Sequence, residues 1–483
     1  MSNQIQGFKI QENERQSWIS LASVWIGAMV CVPSLMIGGF LSQGFSISSI
    51  LLCVLIGYGI ICFYMSLIGI QGSDTGLPTS VMATNALGEK GSRYVISSIL
   101  AVACIGWFGV QSAVCGVSFS GMILAITGVH IPEAISVIFW GIIMLLTACF
   151  GYNAVKYLNY IAVPALILVL GYAAYAALFV NDGINVVLSH QPAQPMSFVS
   201  GINLVVATFA LGGVVSADYS RYAKNRADVI KSSVVGVLPS GLIVIFLGAA
   251  CSIVANEYDI SKVLSILGLP AIGLVALILA TWTTNVTNAY SGGIALTNLL
   301  GFDESKFRIT TGIAGIIGTL LGAVGIIERF QDFLGILTSF IPPVAGVIIA
   351  AYWIVGKGNK ENFKVVKGIN IAGITSFIIG AGVAYITANV YVFFIGPING
   401  IIISAIAYTL LIKVFPIDSQ VVEISSFDNN SGDGVSNGVS NGGVEDDNSI
   451  SGFDSDASSC CSEGICADNV TVSEGKTGTK DSD

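Results

Sequence analysis

The sequence predicts an all-α integral membrane protein: twelve transmembrane helices arranged as a five-plus-five inverted repeat, followed by an acidic hydrophilic tail. Three observations carry that expectation. Of 483 residues 54% are hydrophobic and only 10% charged, against roughly 25% charged in an ordinary soluble domain, and the mean hydropathy is +0.81. Twelve apolar runs are long enough for a hydrocarbon core of about 30 Å, which takes on the order of 20 helical residues. Lysine and arginine fall almost entirely between alternate runs.

In chain order the runs are Trp18–Phe40, Ile47–Ile70, Tyr94–Ile126, Ala134–Phe150, Tyr157–Val180, Phe198–Ala217, Ser233–Ala255, Leu267–Leu300, Ile309–Ile327, Phe333–Val355, Ile369–Ala388 and Tyr391–Phe415. The third and eighth are long enough to tilt. With a cytoplasmic N-terminus, 18 Lys and Arg lie inside and only Lys262 and Arg329 outside. That split obeys the positive-inside rule and places both termini in the cytoplasm. The N-terminal 1–17 is polar and mixed in charge, without the pattern of a signal peptide, so the first span itself directs insertion into the plasma membrane.

The formal charge of −9 is unevenly placed, because the 416–483 segment holds 14 Asp and Glu against two Lys. The 18–415 membrane domain is thus nearly neutral, and nothing supports a nucleic-acid partner. The tail is rich in Ser, Gly, Asn and Asp, which is the compositional signature of disorder. It offers an unidentified cytoplasmic partner a flexible surface. Its Cys460, Cys461 and Cys466 lack the fourth ligand of a structural metal site. The other seven cysteines stand singly in apolar runs, where free thiols act as small hydrophobes.

Two runs carry helix breakers at mid-membrane. The first contains Gly27-Ala-Met-Val-Cys-Val-Pro33-Ser34 and the sixth Thr208-Phe-Ala-Leu-Gly-Gly213. Proline removes a donor and kinks its helix. Breaks five spans apart, at matching places in two halves, point to an inverted-repeat transporter that holds substrate and ion at the midplane.

The third and eighth runs are the next matched pair. In the third, Trp107 and Gln111 are i and i+4 and share a face; an indole beside an amide suits a flat neutral heterocycle, by stacking and by edge hydrogen bonds. In the eighth, Thr281, Thr284, Asn285, Asn288 and Gly292 align on one face. Such a stripe serves a neutral ligand or a dehydrated cation, and it also serves as glue between helices. No span interior holds Asp, Glu, Lys or Arg, whereas a proton-coupled carrier usually keeps an ionisable relay there. A cation held by neutral oxygens, Na+ above all, fits better than H+.

The stretches Gly76-Leu-Pro, Gly106-Trp-Phe-Gly-Val, Ile161-Ala-Val-Pro-Ala, Val215-Ser-Ala-Asp-Tyr-Ser-Arg-Tyr, Trp282-Thr-Thr-Asn with Asn288-Ala-Tyr-Ser, and Ile341-Pro-Pro-Val-Ala-Gly-Val-Ile-Ile run in order along the chain. Together they resemble the nucleobase-cation-symport-1 (NCS1) family, in its cytosine and purine–cytosine permease branch. The resemblance implies a LeuT-like fold with broken first and sixth helices. It implies that Trp107 and Phe209 stack a planar substrate, with Gln111, Thr208, Asn285 and Asn288 around it. It further implies that Na+ is bound by the hydroxyls of Thr283 and Thr284 and the carbonyls of Ala280, Gly27 and Val30. Cys104 and Ala280 depart from the bacterial cytosine permeases, which carry Gln and Asn there, so the exact substrate among cytosine, purines, hydantoins and allantoin stays open. No other cofactor is implied. A transporter of a nucleobase-like heterocycle is the leading expectation. A receptor of the same fold signalling through its tail and an H+-coupled permease are the alternatives; the spans hold no nucleophile–base pair that would speak for an enzyme.

Overall fold

The computed structural model describes residues 9–150, 152–192, 194–269, 271–416 and 421–423. Helices dominate them. The first apolar run forms two helices, α1 (Trp18–Met29) and α2 (Val32–Gly44), bent by 57° at the break between them. The Ser17 hydroxyl caps α1 by accepting the Ser20 N–H at 3.3 Å. At the other end Val30 leaves helical geometry (φ −83°, ψ 75°). Pro33 sits in the first turn of α2, where a missing N–H costs nothing.

There follow α3 (Ile47–Thr75), the short α4 (Thr79–Leu87), α5 (Glu89–Thr127), α6 (Glu133–Phe150), α7 (Tyr152–Phe179) and α8 (Gly183–Ser189). The sixth run is α9 (Phe198–Val214), interrupted at Phe209 (φ −129°, ψ 16°) and followed by α10 (Ala217–Ser220). The remaining helices are α11 (Arg226–Ala255), α12 (Ile260–Ile266), α13 (Ile272–Leu300), α14 (Phe307–Ala323), α15 (Phe330–Ile349), α16 (Ile371–Tyr385) and α17 (Gly396–Val414). Both α15 and α16 run on into π-helical turns, at Ala350–Val355 and Ile386–Val390. Residues 391–395, expected to open the last run, precede its helix.

Among the described residues, eight helices are long and apolar enough to cross a membrane. Two bent pairs reach that standard jointly, α1 with α2 and the part of α7 from Pro164 with α8; α9 and α14 are shorter apolar helices. Strand β1 (Lys364–Val366) pairs antiparallel with β2 (Val421–Glu423), setting Lys364 opposite Glu423. The expectations for the rest of the tail, Cys460, Cys461 and Cys466 included, lie outside the described residues.

Packing divides the helices into bodies. One is α1, α2, α3, α9 and α11; a second is α5, α6, α13 and α14; α15, α16 and α17 form a third, and α7 touches both α11 and α13. Close approach in the first body depends on glycine. A Cβ on Gly38 would collide with the backbone of Ile245 and Ala249, and one on Gly248 with the backbone of Leu35, the small-residue contact that lets membrane helices touch backbone to backbone.

At one end of the helices, Arg15 donates through Nη1 to the carbonyls of Ser73 (2.9 Å) and Ala223 (2.6 Å), tying the approach to α1 to the last turn of α3 and to the segment after α10. Asp218 accepts the Thr79 N–H at 2.7 Å, at the first residue of α4. Arg221 Nε donates to the main-chain carbonyl of Asp218 at 3.1 Å. Burial pushes the Asp218 carboxyl up to about 6, against the opposing pull of the Thr79 N–H and the Arg221 charge.

Candidate substrate and ion site

Both helix breaks open onto one cavity, lined by Gly27, Ala28, Met29, Cys31, Pro33, Ser34, Trp107, Gln111, Thr208, Phe209, Thr284 and Asn288. No Asp, Glu, Lys, Arg or His is among the lining residues. The first body supplies the breaks and the second supplies faces of α5 and α13, so the cavity lies on the seam between them.

Trp107 makes T-shaped contacts with two phenylalanines. Its ring meets Phe330 at 5.9 Å and 71°, and Phe333 at 5.4 Å and 82°. Gly106 makes room for this, since a Cβ there would run into the Phe333 ring. Phe209 is braced from behind by Trp25 at 6.1 Å and 88°, and its place in the interrupted turn of α9 brings the ring to the cavity. Thr208 donates to the Val205 carbonyl at 2.6 Å and bonds the Tyr58 hydroxyl at 3.2 Å. Its hydroxyl is therefore fixed by its own helix and by α3.

The amides divide sharply. Gln111 and Asn288 are 2% and 1% exposed, and Gln111 Oε1 and Asn288 Oδ1 have no hydrogen-bond partner. A buried acceptor left unmade costs about 1–3 kcal/mol, so two of them at one cavity mark a place where a ligand supplies the donors. Asn285 is not among the lining residues. Its Nδ2 donates to the Phe108 carbonyl (3.0 Å), Ser112 Oγ (3.0 Å) and Met144 Sδ (3.2 Å), which makes it a bridge from α13 to α5 and α6. Thr281 likewise turns back on its own helix, donating to the Leu277 carbonyl at 2.7 Å. The stripe read as a single face is thus shared: Thr284 and Asn288 line the cavity, while Asn285 fastens α13 to its neighbours.

The oxygens expected around an ion fall in two groups. On α13, Thr283 Oγ1 and Thr284 Oγ1 both donate to the Ala280 carbonyl, each at 3.0 Å, so three oxygens converge at one point. A hydroxyl that donates one bond keeps lone pairs for a cation. At the break of the first run, Val30 N–H reaches Ile26 O while Cys31 N–H turns to Met29 O. The helix ladder of α1 thus no longer engages the carbonyl of Gly27. Gly27 and Thr284 line the same cavity, whereas Val30, Ala280 and Thr283 are not among its lining residues. Among the described residues no cluster of three His, Cys, Asp or Glu exists that could hold a metal; the donor set here is neutral oxygen.

Ala28, Met29, Cys31, Pro33 and Ser34 also line the cavity and were not singled out in the sequence. The Gly–Pro–Ser segment that contains them was the available signal.

A broken-helix bundle with a neutral, amide-edged cavity at its seam is the architecture of a multi-pass membrane permease, not of an enzyme, and comparison with known proteins bears this out. Residues 9–409 match the permease family for cytosine/purines, uracil, thiamine and allantoin. The cytosine permease of Escherichia coli (strain K12) is 32% identical over 403 residues, which cover 83% of this chain and 92% of that one. The hydantoin permease of Microbacterium maritypicum is 24% identical over 437 residues, 83% of this chain and 87% of the relative. Among solved structures, Mhp1 in its inward-facing conformation shares the fold with a TM-score of 0.72 at 19% identity, covering 89% of this chain and 99% of that one. A Na+-coupled sialic acid symporter follows the same fold at a TM-score of 0.55 and 12% identity, covering 85% and 92%. The chain belongs to the nucleobase-cation-symport-1 family.

Proposed function

We propose that the protein imports a nucleobase or related planar heterocycle by alternating access, driven by Na+. The observation that carries the reading is the pair of unsatisfied buried acceptors, Gln111 Oε1 and Asn288 Oδ1, at a cavity that also holds Trp107 and Phe209. A flat ring with N–H groups at its edge satisfies both acceptors and stacks on an indole. The names of the similar permeases, for cytosine, hydantoin and allantoin, describe substrates of that shape.

Coupling to Na+ is supported by the convergence of the Thr283 and Thr284 hydroxyls on the Ala280 carbonyl, by Thr284 and Gly27 lining one cavity, and by the lack of any carboxylate in its wall; Val30 would complete the oxygen set. Ion and substrate then occupy one seam. The eight long helices and two bent pairs, with the two shorter apolar helices counted as spans as well, support the reading of twelve spans between residues 18 and 415. Their grouping supports the inverted repeat: spans 1, 2, 6 and 7 pack together, as do 3, 4, 8 and 9, so each body combines matched pairs from both halves. The excess of Lys and Arg on one side supports cytoplasmic termini and a tail from 416 onward in the cytoplasm.

The test is uptake of labelled cytosine into proteoliposomes with an inward Na+ gradient, competed with purines, uracil, hydantoins and allantoin. Gradient-dependent accumulation, inhibited by a subset of these rings, is the expected result. Binding without accumulation favours a receptor; accumulation that follows a proton gradient and ignores Na+ removes the ion assignment.

A further inference from the structure

We infer that Asn285 is a positioning residue that sets the hydrogen-bond polarity of the cavity, locking Asn288 as an acceptor. The Phe108 main-chain oxygen, 3.0 Å from Asn285, can only accept. The Asn285 amide must therefore turn its NH2 toward Phe108, and the second and third contacts, Ser112 Oγ at 3.0 Å and Met144 Sδ at 3.2 Å, receive that same nitrogen. Asn285 Oδ1 is then forced to the opposite side, where Asn288 Nδ2 donates to it at 3.3 Å. With its nitrogen so engaged, Asn288 has its oxygen left over, and that oxygen is buried, unpartnered and part of a residue lining the cavity.

Which atom of an amide is oxygen is settled here by chemistry, because one end of the relay is a group with no donor. Gln111 has no such tether in the structure; its amide is free to present either end, so it adapts to the ligand. Asn288 does not adapt. The site therefore requires an N–H at one ring edge and tolerates either polarity at the other. A ligand that places a carbonyl oxygen or a pyridine-type nitrogen against Asn288 Oδ1 meets acceptor against acceptor, a mismatch that sites built around a hydrogen bond reject strongly.

This rests on the reading of the cavity as the heterocycle site. The experiment measures dissociation constants, on purified protein in saturating Na+, for a parent ring and isosteres in which each N–H in turn becomes O or aromatic N. In the wild type one replacement is tolerated within a few fold and another loses at least tenfold. In Asn285→Ala the Asn288 amide is free to rotate, and the disfavoured isostere regains affinity so that its ratio to the parent falls at least tenfold. In an Asn288→Ala background the same Asn285 change leaves that ratio alone. Equal loss for all ligands in Asn285→Ala, or an unchanged ratio, overturns the inference. If Asn285→Ala does not assemble, the wild-type scan still decides: equal tolerance at every N–H is incompatible with a fixed acceptor. Failure of the underlying functional reading looks different, since no ring would then bind the wild type at all.

Discussion

Replacing Trp107 tests the site most directly. The indole is 5% exposed, lines the cavity and makes T-shaped contacts with Phe330 and Phe333. Two losses follow from Trp107→Ala, and they fall on different measurements. Stacking of a base on an aromatic face is worth about 1–3 kcal/mol, so affinity for the heterocycle should fall about 5- to 150-fold. Each edge-to-face contact adds about 0.5–1.5 kcal/mol of fold stability beyond the area buried, and removing the whole ring costs about 3–5 kcal/mol in a packed interior. The thermal midpoint of the ligand-free protein reports the second loss, and equilibrium binding of labelled ligand to the folded fraction reports the first. Trp107→Phe keeps a ring against the phenylalanines and should recover most of the stability and part of the affinity. If Trp107→Ala elutes as a folded monodisperse protein and binds within twofold of the wild type, the stacking role is wrong.

Thr283→Ala and Thr284→Ala should each raise at least tenfold the Na+ concentration that half-saturates substrate binding, while affinity at saturating Na+ returns toward the wild-type value because the coupling is reciprocal; three coincident Na+ curves would remove the ion site. Gly106→Ala puts a Cβ into the Phe333 ring, and the forced shift of that ring should lower substrate affinity without any change in the Na+ requirement, read from the same titrations. Asp218 binds its proton more tightly in the folded chain than its ordinary value of 3.8, with a folded value of about 6. The stabilisation is complete below 3.8 and is lost as pH rises through about 6. The thermal midpoint of the wild type should accordingly rise from pH 7 to pH 5 relative to Asp218→Asn, and parallel pH profiles for the two proteins would refute the assignment.

Much of this architecture was legible because a membrane imposes it. Apolar length gave the long helices, and Gly27 through Ser34 and Thr208 through Gly213 marked the breaks, which the structure has at Val30–Cys31 and at Phe209. Trp107 and Gln111, one helical turn apart, do reach the same cavity. What spacing could not reveal was which neighbour each polar side chain of α13 meets. Asn285 and Asn288 are three residues apart on one face, yet one bonds α5 and the other lines the cavity, since the seam runs between them. The residues of the break itself were missed for a related reason: at Val30 and Cys31 the backbone leaves the helix, and helical periodicity says nothing about where Ala28, Met29 or Ser34 then point. The short α4 escaped because nine residues bounded by Pro78 and Gly88 carry too few turns to show a period.

The placement of the cavity on a seam determines what binding does to the protein as a whole. Gly27, Thr208 and Phe209 belong to the first body, and Trp107, Gln111, Thr284 and Asn288 to the second. A ring held in the proposed way acts as a rivet, since its contacts reach residues of both bodies at once. Binding at the seam should therefore hold the two bodies together as well as fill a pocket, and a bound ligand should slow amide exchange at both breaks together.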